Sequence, residues 1–164
     1  MSVHFFSSAQ LPATPWKNGG GTTQEVVCWP QGAGLDSFQW RISIAEIASN
    51  GPFSAFAGID RTITLLTGDG VRLCAADGSV GHVLQQPLAP FAFSGDVALD
   101  CTLLGGASQD FNVMVRRGVW QATVRPVQGV AVHTQARAGL LLAHRGRWQL
   151  QGLGADAALQ AGAA

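Results

Sequence analysis

Apolar and polar residues alternate along this chain in short runs, many of them rich in β-branched side chains, with turn-forming residues between them. The clearest run is Trp40-Arg41-Ile42-Ser43-Ile44-Ala45-Glu46-Ile47. In an extended strand, where successive side chains point to opposite faces, it places Trp40, Ile42 and Ile44 on one side and Arg41, Ser43 and Ala45 on the other. The same parity groups Asn112, Met114 and Arg116 on one face, with Phe111, Val113 and Val115 opposite. Two strands therefore each carry a guanidinium with small or polar company. The pattern predicts strands at 25–29, 40–47, 62–66, 70–75, 97–104, 111–116, 120–126 and 139–144. Thr67-Gly68-Asp69-Gly70 and Ala76-Asp77-Gly78-Ser79 supply residues that tolerate positive φ between such runs, as hairpins require. The inventory is that of an all-β barrel or sandwich. The tail 152–164, rich in Ala, Gly and Gln, is expected to fray or to form a short helix.

Composition narrows the function. A chain of 164 residues is expected to form one domain over 1–164, and 47% hydrophobic against 12% charged residues provides a core and a sparsely charged surface that favours self-association as a homodimer. Ten Lys+Arg balance ten Asp+Glu, so no positive field is available for direct nucleic-acid binding. Cys28, Cys74 and Cys101 are an odd set without CxxC spacing and read as core thiols. The first ten residues lack the pattern of a signal peptide, and no window has the length of a membrane span, so a cytoplasmic protein without a membrane partner is expected.

Three stretches carry candidate chemistry. In Pro15-Trp16-Lys17-Asn18-Gly19-Gly20-Gly21-Thr22-Thr23-Gln24-Glu25 the glycines let backbone N–H groups approach an anion, with Lys17 and Thr22 as further donors. No Gly-Lys-Ser/Thr follows, so a nucleotide loop is not supported, and a plain turn that opens a strand is the alternative. Arg61, after Asp60, lies at a strand mouth, where a planar guanidinium suits bidentate carboxylate recognition. The competing fate is an internal ion pair with Asp60, Glu46 or Asp110. In Asp110-Phe111-Asn112-Val113-Met114-Val115-Arg116-Arg117-Gly118, Asn112 can serve a pocket, and the adjacent arginines must face opposite sides. His4, His82, His133 and His144 show neither HxH nor HExxH spacing, which gives no support for a metal centre, and there is no Gly-x-Ser-x-Gly elbow.

These stretches, with Gly51-Pro52-Phe53-Ser54-Ala55-Phe56, Leu66-Thr67-Gly68 and Phe93-Ser94-Gly95-Asp96, resemble the HutD/Ves family over residues 11–120. The resemblance implies a cupin-superfamily fold with two barrel-like halves in one chain, without the histidine ligands of metal cupins. It also implies a regulatory protein of histidine utilisation that binds urocanate or a related small carboxylate without turnover; Ves-type relatives are instead linked to cold or stress. Under that reading Arg61 anchors the carboxylate, and Lys17, Asn18 and Thr22 close over it. Arg41 and Asn112 complete the polar rim, and Trp16 or Trp40 stacks on a flat ligand. No cofactor and no metal are expected. The alternatives are a metal-independent enzyme with Glu46, Asp60 or Asp110 as acid or base, and a structural or stress-related interaction protein.

Overall fold

The computed structural model describes residues 4–129, 135–136, 138–151 and 157–160. Among them the chain forms a 3₁₀ turn, Ser8–Gln10, and twelve strands: β1 Ala13–Pro15, β2 Gly21–Trp29, β3 Trp40–Ile47, β4 Gly51–Phe53, β5 Ile59–Thr67, β6 Val71–Ala75, β7 Gly81–Leu84, β8 Pro90–Ser94, β9 Leu99–Leu103, β10 Ser108–Arg116, β11 Arg147–Leu150 and β12 Ala157–Gln160. No α-helix occurs among the described residues, and none is long and apolar enough to cross a membrane.

The chain divides into two compact units, one of residues 12–126 and one of residues 1–11 with 127–164. The first holds a six-stranded antiparallel sheet, β1-β2-β3-β10-β5-β8, and a four-stranded sheet, β4-β9-β6-β7. Their facing sides share one core, with Ile47, Ile63, Leu65 and Phe93 from the larger sheet and Phe53, Val71, Leu73, Leu84, Leu99 and Cys101 from the smaller. Each fully buried aliphatic side chain there contributes about 2 kcal/mol of transfer free energy. Cys28 and Cys101 are buried and Cys74 is half-buried, all as free thiols. The described part of the second unit includes the hairpin β11–β12.

The strand at 40–47 is present with its predicted bounds, and those at 25–29, 62–66, 70–75, 97–104 and 111–116 are present with shifted ends. Gly68, Gly70 and Gly78 take positive φ of 94°, 92° and 74° at the expected turns. Two predicted strands are absent. After β10 the amides of Val119 and Trp120 both bond to the Arg116 carbonyl, and 120–126 continues without a ladder. The described residues 139–144 are likewise irregular. At the tail, residues 157–160 pair with β11 as a strand instead of forming a helix, and the rest of 152–164 lies outside the described residues.

Candidate functional site

The register of the six-stranded sheet lays out its inner face as rows of side chains. One row runs Cys28, Arg41, Met114, Arg61, Phe93; the next runs Glu25, Ser43, Asn112, Ile63, Phe91; a third holds Thr23, Ala45, Asp110, Leu65. A polar strip thus crosses an otherwise apolar interior, from Arg41 and Glu25 through Ser43 and Asn112 to Arg61 and Asp110. Ser43, Arg61, Asp110 and Asn112 are all buried. Such burial is costly unless each group is bonded.

Arg61 is 5% exposed. Its Nη1 donates to the Ser54 carbonyl at 2.9 Å and its Nη2 to Asn112 Oδ1 at 3.1 Å. Three rings enclose the guanidinium, with centroids 4.6 Å away for Phe53, 5.3 Å for Phe56 and 5.1 Å for Phe93. Their quadrupoles offset part of the desolvation. Asn112 in turn donates through Nδ2 to Asp110 Oδ1 at 2.9 Å, so the amide stands as a neutral relay between cation and carboxyl. Arg61 Nε and Asp110 Oδ2 are buried without a hydrogen-bond partner. Burial lowers the Arg61 pKa to about 10, with Asp110 opposing the shift and Arg41 adding to it. Burial pushes the Asp110 carboxyl up to about 7, although Asn112 and Arg61 favour its charged form. The result is a fixed donor that remains cationic at neutral pH and a carboxyl that changes charge near it.

The sequence-predicted residues fall in three places. Arg61, Asn112 and Arg41 share the inner face, with Arg41 Nε bonded to Glu25 Oε2 at 2.7 Å. Arg61 is the third residue of β5, inside the sheet and not at a strand mouth, and its guanidinium bonds to Ser54 and Asn112 in place of Asp60, Glu46 or Asp110. Asp60 instead pairs with Arg117, and Glu46 is exposed. Trp40 belongs to the opposite face, packed edge-on against Trp120 at 6.3 Å. A cavity of about 360 Å³ is lined by Thr62, Ala92, Val113 and Val115 of that face and by Trp120, and also by Arg61 and Phe93 of the inner row. Thr22 is opposite the exposed Glu46, with the same parity as Trp40. Lys17 and Asn18 sit in the turn before β2, at the end of β3 remote from Arg41. That turn spends amides on the chain itself: Gly20 N bonds to Asn18 Oδ1 at 3.0 Å and Gly19 N to the Trp16 carbonyl at 3.0 Å. A Cβ at Gly21 would stand 2.1 Å from the Glu46 carbonyl, so glycine is required there by packing. The turn's link toward the guanidinium is Trp16, edge-on against Phe53 at 6.5 Å.

The three phenylalanines were missing from the predicted set, and Asp110 was named only as an ion-pair partner of Arg61 or as an acid or base, not as a ligand contact. The parity that groups Asn112 with Met114 also includes Asp110, so its facing was available in the pattern of β10. Phe53, Phe56 and Phe93 come from separate segments, and no local pattern joins them to Arg61.

A model of the HutD family matches residues 8–164 of the chain. The chain belongs to the HutD family. As a HutD-family protein it is 45% identical, over 86% of its length and 73% of the relative's, to an uncharacterized 21.2 kDa protein of Pseudomonas putida in the hutC 3′ region. It is 39% identical to Protein Ves of Escherichia fergusonii, over 90% of this chain and 76% of that one. The structure of HutD from Pseudomonas fluorescens SBW25, determined in a formate condition, superposes with a TM-score of 0.59 at 44% identity, covering 66% of this chain and 57% of that one. The match therefore spans little more than half of that solved chain. The Cnp3 cupin domain of Schizosaccharomyces pombe shares the fold alone, with a TM-score of 0.50 at 8% identity and 68% of each chain covered. Among the described residues of this HutD-family chain, no three or more His, Cys, Asp or Glu side chains are grouped to hold a metal ion.

Proposed function

We propose that the chain is a small-carboxylate-binding regulatory protein of histidine utilisation, which takes urocanate or a related intermediate in the interior of its first unit and releases it unchanged. One observation carries this reading: Arg61 is a desolvated guanidinium bonded to two neutral acceptors, with Nε left without a partner. A cation held only for the fold is better satisfied by a direct carboxylate partner. Here that partner is the ligand. Its oxygens take the place of the Ser54 carbonyl, which belongs to an exposed segment between β4 and β5 and can be displaced at small cost. Arg41 lies on the same face, with its charge paired to Glu25. The gene-region name of the Pseudomonas putida relative is consistent with histidine utilisation.

A second reading, a metal-independent enzyme, is favoured by Asp110 alone. A buried carboxyl titrating near neutrality suits an acid or base. The test is calorimetric titration of the full chain with urocanate, formate and N-formylglutamate, each mixture assayed for product, for the wild type and Arg61→Ala. The binding reading expects saturable heats that Arg61→Ala removes, with ligand recovered intact. Consumption of a ligand decides for the enzyme. Absence of binding at millimolar concentration overturns the carboxylate reading for these compounds.

A further inference from the structure

Asp110 is 1% exposed, and only half of its carboxyl is engaged. Oδ1 accepts from Asn112 Nδ2 at 2.9 Å, whereas Oδ2 has no partner. Its neighbours along the row are Leu65 and Ala45, which offer no side-chain donor. Orienting the Asn112 amide requires one acceptor oxygen, which a hydroxyl or a carboxamide could provide without bringing a second, charged oxygen into an apolar interior. The unused oxygen does no bonding within the described fold. Asn112 also fixes polarity along the strip: its Oδ1 faces the donor Arg61 and its Nδ2 faces the acceptor Asp110. One end of the strip therefore offers unfilled donor capacity and the other unfilled acceptor capacity, an amide group apart.

We infer that Asp110 Oδ2 accepts a hydrogen bond from an N–H group of the ligand whose carboxylate Arg61 holds, so that Asp110 determines specificity. The inference rests on the carboxylate reading and sharpens it: the ligand class is a small acid with an amide or heterocyclic N–H a few bonds from its carboxylate, and a plain acid such as formate fills only half of the strip. A site built to bond a donor rejects the analogue that lacks it, because the buried acceptor is left unpaired.

The experiment compares pairs of ligands that differ at the N–H. Urocanate is set against cinnamate, which keeps the conjugated acrylate and has no N–H. N-formylglutamate is set against the ester analogue with oxygen in place of the N–H. Calorimetry on the wild-type chain at pH 8, where the Asp110 carboxyl is ionised and Oδ2 is an acceptor, is expected to favour the N–H member of at least one pair by about 100-fold. In Asp110→Leu, with folding checked by thermal melting, that preference is expected to fall to about threefold or less while the analogue binds as before. Equal wild-type affinities within both pairs, or a preference that survives Asp110→Leu, overturns the role of Asp110 and leaves the carboxylate reading standing. If no member of either pair binds, the carboxylate reading falls and this inference falls with it. The wild-type comparison decides the matter even if Asp110→Leu does not fold.

Discussion

Arg117 and Arg61 both attach to β5, one from its outer edge and one from the barrel interior, and the protein surrounds them differently. Arg117 bonds Asp60 at 2.7 Å, the Ser94 hydroxyl at 2.7 Å and the Ile59 carbonyl at 3.3 Å, and also pairs with Asp96. Its side chain is 43% exposed. These carboxylates raise its pKa, although the arginine and both carboxylates are themselves exposed. Arg61 is 5% exposed and has fewer acceptors, both neutral. The saturated guanidinium pins one end of β5 to the turn at Gly58, whose amide Asp96 accepts. The unsaturated one keeps bonding capacity in reserve, which a ligand can use.

The comparison can be broken most directly by removing each cation in turn. Arg61→Ala is expected to weaken binding of the preferred carboxylate by about 100-fold, the loss of a charge-assisted hydrogen bond. Arg117→Ala is expected to leave affinity within about twofold; calorimetry that shows equal losses would erase the distinction. A second test uses pH. Asp110 carries its proton in the folded chain up to about 7, whereas the unfolded carboxyl loses it near 3.8. Folding therefore binds a proton between these values, and the fold loses stability as pH rises through that window because the unfolded carboxyl ionises while the folded one stays neutral. Asp110→Asn should gain stability over the wild type progressively from pH 4 to 7, by about 4 kcal/mol in all, and level off above. A difference independent of pH would mean that Asp110 is not the titrating group. The smallest effect belongs to the surface cluster. Asp96 is held down to about 2 by the Gly58 amide, Arg117 and Ser94, so its contribution is present above about 4 and is lost as pH falls toward 2. Asp96→Asn is expected to lower Tm by about 2 °C at neutral pH, with the gap closing in acid and narrowing in high salt.

The contrast also shows what the sequence could convey. The parity of β3 and β10 placed Arg41 and Ser43 on one face of one strand and Asn112 and Met114 on one face of another, because alternation is a local property. Trp120–126 carries enough β-branched and aromatic residues to suggest a strand, yet a strand exists only where a neighbour supplies its ladder. The reverse error hid β7 and β8, whose Gly81 and Pro90 look like turn residues in short strands. Whether Arg61 meets a carboxylate or an amide depends on β5 lying beside β10, 51 residues away in sequence, and only the sheet order decides that.

The edge-on contact of Trp16 with Phe53 gives the interior an optical reporter. The chain has five tryptophans and no tyrosine, so its near-ultraviolet emission comes almost wholly from indoles. Trp16 is one ring removed from the guanidinium, through Phe53. Its Nε1 donates to Thr23 Oγ1 at 2.7 Å, which holds the indole in one orientation. Any rearrangement of the phenylalanine cage on loading alters the surroundings of that indole. On the proposed carboxylate reading the indole emission is expected to follow occupancy, and Trp16→Phe should silence that response while leaving the calorimetric signal in place.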